Sequence, residues 1–401
     1  MNNIYLINAK RTAIGKFLGS FYENDPCDVS VQVIKELLSG LNPADVDLTI
    51  VGNVVSANMG QAFFRKIAIN SGIPQEKPAY AVNMVCGSGM MAVINAVKEI
   101  QCGANLVLAG GVEFMSNIPY ATNTYLRLGK KFGNFEMTDL MVSDGLTDAF
   151  SGVHMGITAE NIAKKYGITR EQQDDYSWLA QQRAISGVDS GIFKDEIVPV
   201  KIKDYKGREF TFDTDEFPNR TSTREKMATL KPTFIKDGTG TVTAASASGI
   251  NDGAAYVTVA SEEYIRKKGL MPLAKISGYS AVGCDPQYMG LGPYYAITRL
   301  LQDNGLTIDD IDIFEVNEAF AAQVLGSMKL LSEEFNTPIE TIIDKTNIYG
   351  SGLGLGHPLG ATGARIITTL AHLMKKKNLK RGVASLCIGG GQGTAVLLER
   401  N

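Results

Sequence analysis

An α/β fold of two similar halves, with a separate region inserted into the first, is what the chain predicts, on three observations. Short apolar strands alternate with amphipathic helical stretches near both ends, the pattern of strands and covering helices around a parallel sheet. That texture breaks between about residues 119 and 248, where the sequence turns irregular, polar and aromatic. A strand, Gly-rich turn, helix and strand then recur near the C-terminus in the order first met around Cys86.

Taken in order, IYLINA (4–9) alternates as a strand and VSVQVIKELLSGL (29–41) has helical spacing. LTIVGNVVS (48–56) is a second strand and FFRKIAINSG (63–72) a helix that stops at glycine. After the Cys86 segment, MAVINAVKEIQCG (91–103) is helical and NLVLAGGVE (105–113) is a continuous apolar strand, as in a sheet covered on both faces. The irregular stretch carries helices of its own at ITAENIAKKYG and REQQDDYSWLAQQRAISG. Strand signals resume at AAYVTVAS, PLAKISGYSAVG and DIDIFEVNEAF, and the chain closes with the helix RIITTLAHLMKKK and the strand RGVASLC. The expected division is residues 1–118 with about 249–268 as one half, 119–248 as the insertion and 269–401 as the other half. In this duplication Cys86 and His357 hold related positions near two helix N-termini, and a pseudo-twofold arrangement would bring them together.

Composition narrows the function classes. The 401 residues are 44% hydrophobic and 20% charged with a formal net charge of -3, an ordinary globular balance without the basic excess of a nucleic-acid binder. No apolar run reaches membrane-spanning length, the N-terminus lacks the pattern of an export signal and the C-terminus VLLERN is no peroxisomal address, so a cytoplasmic protein is expected. Five cysteines without close pairs predict reduced thiols rather than a disulfide framework. The three histidines share no metal-ligand spacing with another His or Cys, so no zinc site is expected.

Cys86, in NMVCGSGMMAV, admits two readings. Free cysteine is most often a small buried hydrophobe. A thiol between an apolar strand and a helix, however, sits where free N–H groups and the helix dipole favour a thiolate and lower its pKa below about 8.5. Such a thiol needs a base, and His357, after the Gly/Ser-rich run GSGLGLG, is the best candidate. The bland alternative is a turn with Pro358 at the first helical position and the histidine as a mere cap. Cys387 ends a buried strand and precedes Gly389, Gly390 and Gly391, whose N–H groups could face a developing oxyanion; a last core residue is the competing reading. Asn317 follows a strand and precedes a helix, where an N-cap is the ordinary role, with Glu318 favouring the first turn. His154 could be a satisfied core residue, and His372, beside Lys375, Lys376 and Lys377, reads as ordinary surface at a helix C-terminus. These residues alone reach Cys-His nucleophilic catalysis with a second cysteine nearby, and leave the substrate open.

The segments VCGSGMMAV, LAGGVEFMS, DGLTDAF, HMGITAENIA, SASGINDGAA, VNEAFAAQ, GHPLGATGAR and CIGGGQGTA resemble, in that order, the signatures of the thiolase family, and the likeness extends from AKRTAIGKF to the last strand. Within the family it is to biosynthetic acetyl-CoA C-acetyltransferases. The resemblance implies a duplicated five-layered α/β/α/β/α fold with an inserted loop domain. It implies reversible Claisen condensation of two acetyl-CoA to acetoacetyl-CoA plus CoA, with CoA thioesters as substrates and no cofactor or metal. Cys86 would carry the acyl group, His357 would take its proton, Asn317 would hold a water beside the enolate, Cys387 would move the α-proton, and Gly389 would complete the oxyanion site. His154, Met155, Arg220, Ala244, Ser248, Met289, Ala319 and Phe320 would line the CoA and acyl pocket. LGKKFGNFEM resembles the cationic loop of the tetrameric subgroup, so a homotetramer is expected, with Lys130 and Lys131 attracting anionic CoA.

The chain also departs from the family pattern at Phe63, Phe64, Val153, Ser246 and Ser351, which puts pocket shape and affinity in question but leaves the catalytic positions matched. The nearest rival is a 3-ketoacyl-CoA thiolase of broader chain length; the His of HMGITAENIA favours short substrates. A non-catalytic acyl-CoA binder predicts a lost catalytic position, and a Cys-His hydrolase gives the second cysteine no role.

Overall fold

The structure, a computed structural model, describes residues 3–400; Met1, Asn2 and Asn401, at the ends of the expected halves, lie outside it. Nine strands form the main sheet: β1 (Ile4–Arg11), β2 (Leu48–Gly52), β3 (Ala79–Val82), β4 (Leu106–Phe114), β5 (Asn251–Ser261), β6 (Ala274–Gly283), β7 (Ile313–Val316), β8 (Arg381–Ile388) and β9 (Gln392–Glu399). Their order is β7-β8-β9-β6-β1-β5-β4-β2-β3, with the two-residue strand Gly15–Lys16 added beside β5. Eight helices matter here: α1 (Pro26–Leu37), α2 (Phe63–Asn70), α3 (Ser88–Gln101), α4 (Met155–Tyr166), α5 (Arg170–Ser190), α6 (Gly292–Asp303), α7 (Ala321–Phe335) and α8 (Leu359–Lys377).

Duplication is visible in the pairing. In the N-terminal half β3, β2 and β4 run parallel, and β4, β5 and β1 antiparallel. The C-terminal half repeats this with β7 parallel to β8, then β8, β9 and β6 antiparallel, and a single parallel bridge from Phe314 to Thr346 stands where β3 would be. Only Tyr5 and Leu6 of β1 pair with β6 to join the halves.

Alternation along the strands explains the layers, because successive side chains face opposite sides. Val107 and Ala109 of β4, Val257 and Val259 of β5 and Leu386 of β8 turn inward onto Met90 and Val93 of α3 and Ile366 and Leu370 of α8. Leu108 and Tyr256 face outward to Val33 and Leu37 of α1, while Val383 and Leu397 meet Leu300 of α6 and Met328 of α7. The result is five layers, helix, sheet, helix, sheet, helix, with α3 and α8 in the middle. Their close approach needs glycine: a side chain on Gly89 would stand 2.7 Å from the Gly360 carbonyl, and one on Gly363 would overlap the Met90 backbone.

Between β4 and β5 the chain leaves the sheet. This stretch holds the hairpin Tyr120–Thr122 with Met137–Asp139, then α4 and α5, and a second hairpin, Val200–Lys203 with Glu209–Phe212. It is pinned to the body by the buried guanidinium of Arg11, bonded to Asp215 at 2.7 and 3.0 Å and to Glu196 at 2.6 Å.

Candidate active site

Cys86 and Asn317 lie where parallel strands give way to helices, the usual crevice of an α/β sheet, while His357 stands just before α8 and Cys387 at the end of β8 before the turn into β9. Cys86 lies in the turn between β3 and α3. Val85, just before it, has φ +48, a left-handed conformation rarely tolerated by a β-branched residue. The turn is held by its neighbours: Asn83 Oδ1 accepts from the Val85 N–H at 3.0 Å, and Ser88 Oγ accepts from the Met84 N–H at 2.9 Å and donates to the Val85 carbonyl at 2.6 Å. A side chain on Gly87 would press into the side chain of Ile388. The thiol is thus fixed on the β8 end of the site.

Burial pushes the half-buried Cys86 thiol up to about 11; the N–H groups of Gly389 and of Cys86 itself oppose that rise, and Glu113 adds to it. The expectation of a lowered thiol pKa is therefore corrected: desolvation outweighs the helix terminus here. Burial, then the charges of Cys86 and Cys284, hold Cys387 well above the ordinary thiol range. At neutral pH both are thiols.

His357 precedes α8 and is 3% exposed. Its Nδ1 lies 2.6 Å from Thr362 Oγ1, its Nε2 3.3 Å from Asn317 Nδ2, and its backbone N–H donates to Asn251 Oδ1 at 3.0 Å. Burial, helped by Arg365, lowers it to about 3, so the imidazole is neutral at physiological pH. Asn317 is not an N-cap, because α7 starts only at Ala321. Its N–H donates to the Ser385 carbonyl, its amide meets His357, and its Oδ1 finds no protein donor, as in a side chain that holds water or ligand. Glu318 lies outside the first helical turn as well: it is a buried clamp accepting from Tyr176 Oη, Asn347 Nδ2 and the N–H groups of Ser351 and Leu353.

Most of the expected pocket residues converge. Met155, Met289, Ala319, Phe320 and Cys387 share one apolar cluster. Ser248 joins it through its N–H to the Ala319 carbonyl at 2.9 Å, and Ala247 bridges to Phe320. His154 caps α4, its Nδ1 accepting from the Gly156 N–H at 3.0 Å, with its ring stacked 4.7 Å from Phe234. A side chain on Gly389 would touch Val85 and Met155, so its backbone faces the space between them. Ala244 is exposed on the turn leading to Ser248. Arg220 is the outlier: its guanidinium engages Asp189 at 2.6 and 3.0 Å on the exposed face of α5, and no hydrogen bond or ion pair among the described residues links it to this cluster.

Several site residues lay outside the sequence reading. Phe234 packs on His154 and lies edge-on to Phe320, but a lone Phe in a polar stretch gave no periodic signal. Glu113 is buried, pushed up by burial to about 7, and accepts from the N–H groups of Val54, Val55 and Gly360, tying the end of β2 to the start of α8. His372, read as surface, is buried and bonds the Ala9 carbonyl at 2.9 Å. An amphipathic helix sandwiched between two sheets has little exposed face left to offer.

Comparison with known proteins matches the chain over its length. The family models for the thiolase N-terminal domain and the thiolase C-terminal domain match residues 4–263 and 270–400. An acetyl-CoA acetyltransferase from Chromobacterium violaceum is 46% identical over 400 residues, 99% of each chain. The solved acetyl-CoA acetyltransferase of Syntrophomonas wolfei superposes with a TM-score of 0.95 at 42% identity over 100% of both chains. The human mitochondrial 3-ketoacyl-CoA thiolase does so with 0.92 at 40% identity, over 100% of this chain and 99% of that one. Two half-sheets around a paired helix layer, two free thiols on the turn before α3 and at the end of β8, and a buried histidine thus occur in a chain that belongs to the thiolase family of acyltransferases.

Proposed function

We propose that the protein is an acetyl-CoA C-acetyltransferase working through an acetyl-Cys86 intermediate. The observation that carries this reading is that the Cys86 turn lies against the end of β8 that bears Cys387, with Gly87 beside Ile388 and Gly389 beside Val85. Cys86 attacks the thioester carbonyl as its proton passes to neutral His357, and the developing oxyanion meets the N–H groups of Gly389 and Cys86. The C–S bond to CoA breaks, and Cys387 protonates the departing thiolate. Having given its proton to CoA, Cys387 is left as the thiolate that takes the α-proton of a second acetyl-CoA. The His357 imidazolium and an Asn317-held water receive the enolate oxygen. The enolate carbon then bonds to the acetyl carbon of acetyl-Cys86, the bond to Cys86 breaks, and His357 returns the proton. The balance is two acetyl-CoA to acetoacetyl-CoA plus CoA, and no step calls for a metal or cofactor.

His154, Met155, Ala244, Ser248, Met289, Ala319, Phe320 and Phe234 form the proposed wall for pantetheine and acyl group, while Arg220 reaches the nucleotide only by exchanging its Asp189 partner. Exposed Tyr125, Leu128, Phe132 and Phe135 surround Lys130 and Lys131 on one loop, a surface fitted to pair with other copies in a homotetramer. No helix among the described residues is long and apolar enough to cross a membrane, and a cytoplasmic setting accords with free thiols at the site.

Brief incubation with acetyl-CoA followed by intact-protein mass spectrometry, with peptide mapping at low pH, should show one acetyl group on the Cys86 peptide; a folded, CoA-binding protein that takes none would defeat the proposal. Thiolysis of acetoacetyl-CoA should exceed that of a long 3-ketoacyl-CoA. The reverse preference would favour the broader thiolase represented by the human mitochondrial neighbour.

A further inference from the structure

We infer that Thr362 is a positioning residue that fixes the tautomer of His357, so that the proton sits on Nδ1 and the lone pair on Nε2, the nitrogen beside Asn317. The inference rests on reading His357 as the base that serves Cys86. It begins from hydrogen-bond inventory. Thr362 Oγ1 lies 2.9 Å from the Pro358 carbonyl, which also receives the N–H groups of Ala361 and Thr362 and can only accept, so of the two Oγ1 contacts this is the one in which the hydroxyl must be the donor. What Oγ1 presents to His357 Nδ1, 2.6 Å away, is a lone pair. Nδ1 must then carry the hydrogen, and in a neutral imidazole Nε2 carries none. The opposite side of the ring agrees: Asn317 Nδ2, a donor, stands 3.3 Å from Nε2. The chain therefore runs in one direction, from Asn317 through the ring and Thr362 to Pro358.

The alternative network has Thr362 donating to Nδ1, which makes Nε2 a donor facing another donor unless the Asn317 amide turns over. A histidine in that tautomer has no lone pair on the side of Asn317 and could not accept a proton there. Threonine has no need of the ring for its own satisfaction, since the Pro358 carbonyl already takes its proton; the second contact serves the histidine. Placement supports this. Thr362 is fully buried in the first turn of α8, on the same helix that Gly89, Gly360 and Gly363 bring against α3. The tautomer lock and the Cys86 turn are thus carried by one helix pair.

The test uses ¹⁵N-histidine-labelled full-length protein, in which only three histidines must be assigned. Long-range ¹H–¹⁵N spectra should show His357 with a protonated Nδ1 and a pyridine-like Nε2; a protonated Nε2 in the wild type overturns the inference. Thr362→Val keeps the shape and removes the acceptor, and Thr362→Ser restores it. Valine should slow Cys86 acetylation by about 10–100-fold, the scale seen when the orienting partner of a metal-bound histidine is lost, while CoA affinity stays within about twofold and serine recovers most of the rate. Wild-type acetylation in a folded Thr362→Val protein overturns the inference too. Should valine prevent folding, the wild-type spectrum still decides. Should the wild type take no acetyl group, the acyltransfer reading fails separately, because the tautomer is measured without turnover.

Discussion

In the N-terminal half β3 runs through five residues into α3 and presents Cys86; in the C-terminal half the parallel bridge at Thr346 leads through a longer glycine-rich approach to His357 and α8. The scaffold is the same and the turns are not. The short turn forces Val85 to φ +48 and leaves its thiol half-buried, whereas the long one uses Gly356 at φ +109, where no side chain is asked to bear the conformation, and buries its imidazole. Duplication supplies two helix N-termini at one corner, and each turn decides what chemistry its terminus offers. A nucleophile must be reached by substrate; a base that works on a neighbouring side chain can be enclosed and held neutral.

The largest effects should come from exchanging the chemistry while keeping the turns. Cys86→Ala should lower acyl transfer by about 10⁴–10⁶-fold, the range for losing a catalytic nucleophile or its base, with CoA still bound. Cys387→Ala should still collect an acetyl group on Cys86 but lose about 10²–10⁴-fold in condensation and thiolysis, as expected when acid/base catalysis is removed. Acetylation mass and steady-state turnover, measured on the same samples, separate the two. Turnover in Cys86→Ala, or full condensation in Cys387→Ala, would mean that the two halves do not divide the work in this way.

Stability should separate the turns next. An alanine at Gly356 would combine a conformation nearly reserved for glycine with a Cβ 2.6 Å from the Asn251 side chain, which itself holds the His357 N–H. Gly356→Ala should therefore lose about 2–5 kcal/mol from strain and overpacking together, read from urea unfolding. The buried imidazole adds a pH signature. His357 is held at about 3 against an ordinary 6.5, so its neutral form is the one the fold accepts. Its contribution is complete above about pH 6.5 and is lost as pH falls toward 3, at about 1.4 kcal/mol per pH unit. His357→Asn should lack that acid limb, and the stability gap between the two proteins should change with pH by that slope. A constant gap from pH 7 to pH 4 would place His357 in a wetter site than the structure gives it. The raised carboxyl of Glu113 acts in the opposite sense in both proteins and cancels in the difference.

How much of this could be read in the sequence follows from where each property resides. Strand alternation, glycine turns and helix starts are local, so the order of elements, the repeated unit and the candidates Cys86, His357 and Cys387 were legible. Strand β3 and helix α6 gave too little contrast to be picked out, and α8 starts at Leu359, six residues before the apolar run that marks it in the sequence. Partnerships between distant segments were not legible. Asn251 and His357 are 106 residues apart, and nothing near Asn251 says that its side chain will hold a histidine backbone. Charge state was the least legible property, because the helix terminus behind Cys86 is local while the desolvation that overrides it comes from β8, α8 and β4. Asn317 and Glu318 were placed at a helix start for the same reason: polar residues after a strand fit a cap equally well, until Ser385, Asn347 and Tyr176 arrive from elsewhere.

The smallest effect bears most directly on the comparison. Val85→Gly would give the short turn the freedom that Gly356 gives the long one. Relief of the left-handed conformation should return about 1–2 kcal/mol, against about 0.5–1 kcal/mol for the added flexibility of glycine and about 1 kcal/mol for the apolar contacts of a half-buried valine. Net stability should therefore stay within about 1 kcal/mol of the parent. Acetylation should nonetheless slow, because Val85 both sets the turn that aims Cys86 and packs toward Gly389 at the end of β8. The relevant measurement is the rate of acetyl transfer to Cys86 under single-turnover conditions beside a urea melt of the same protein. A stable variant with a slower rate would show that the strained turn serves reactivity. A stable variant with an unchanged rate would make the strain incidental, and the halves would then differ only in which side chain follows the turn.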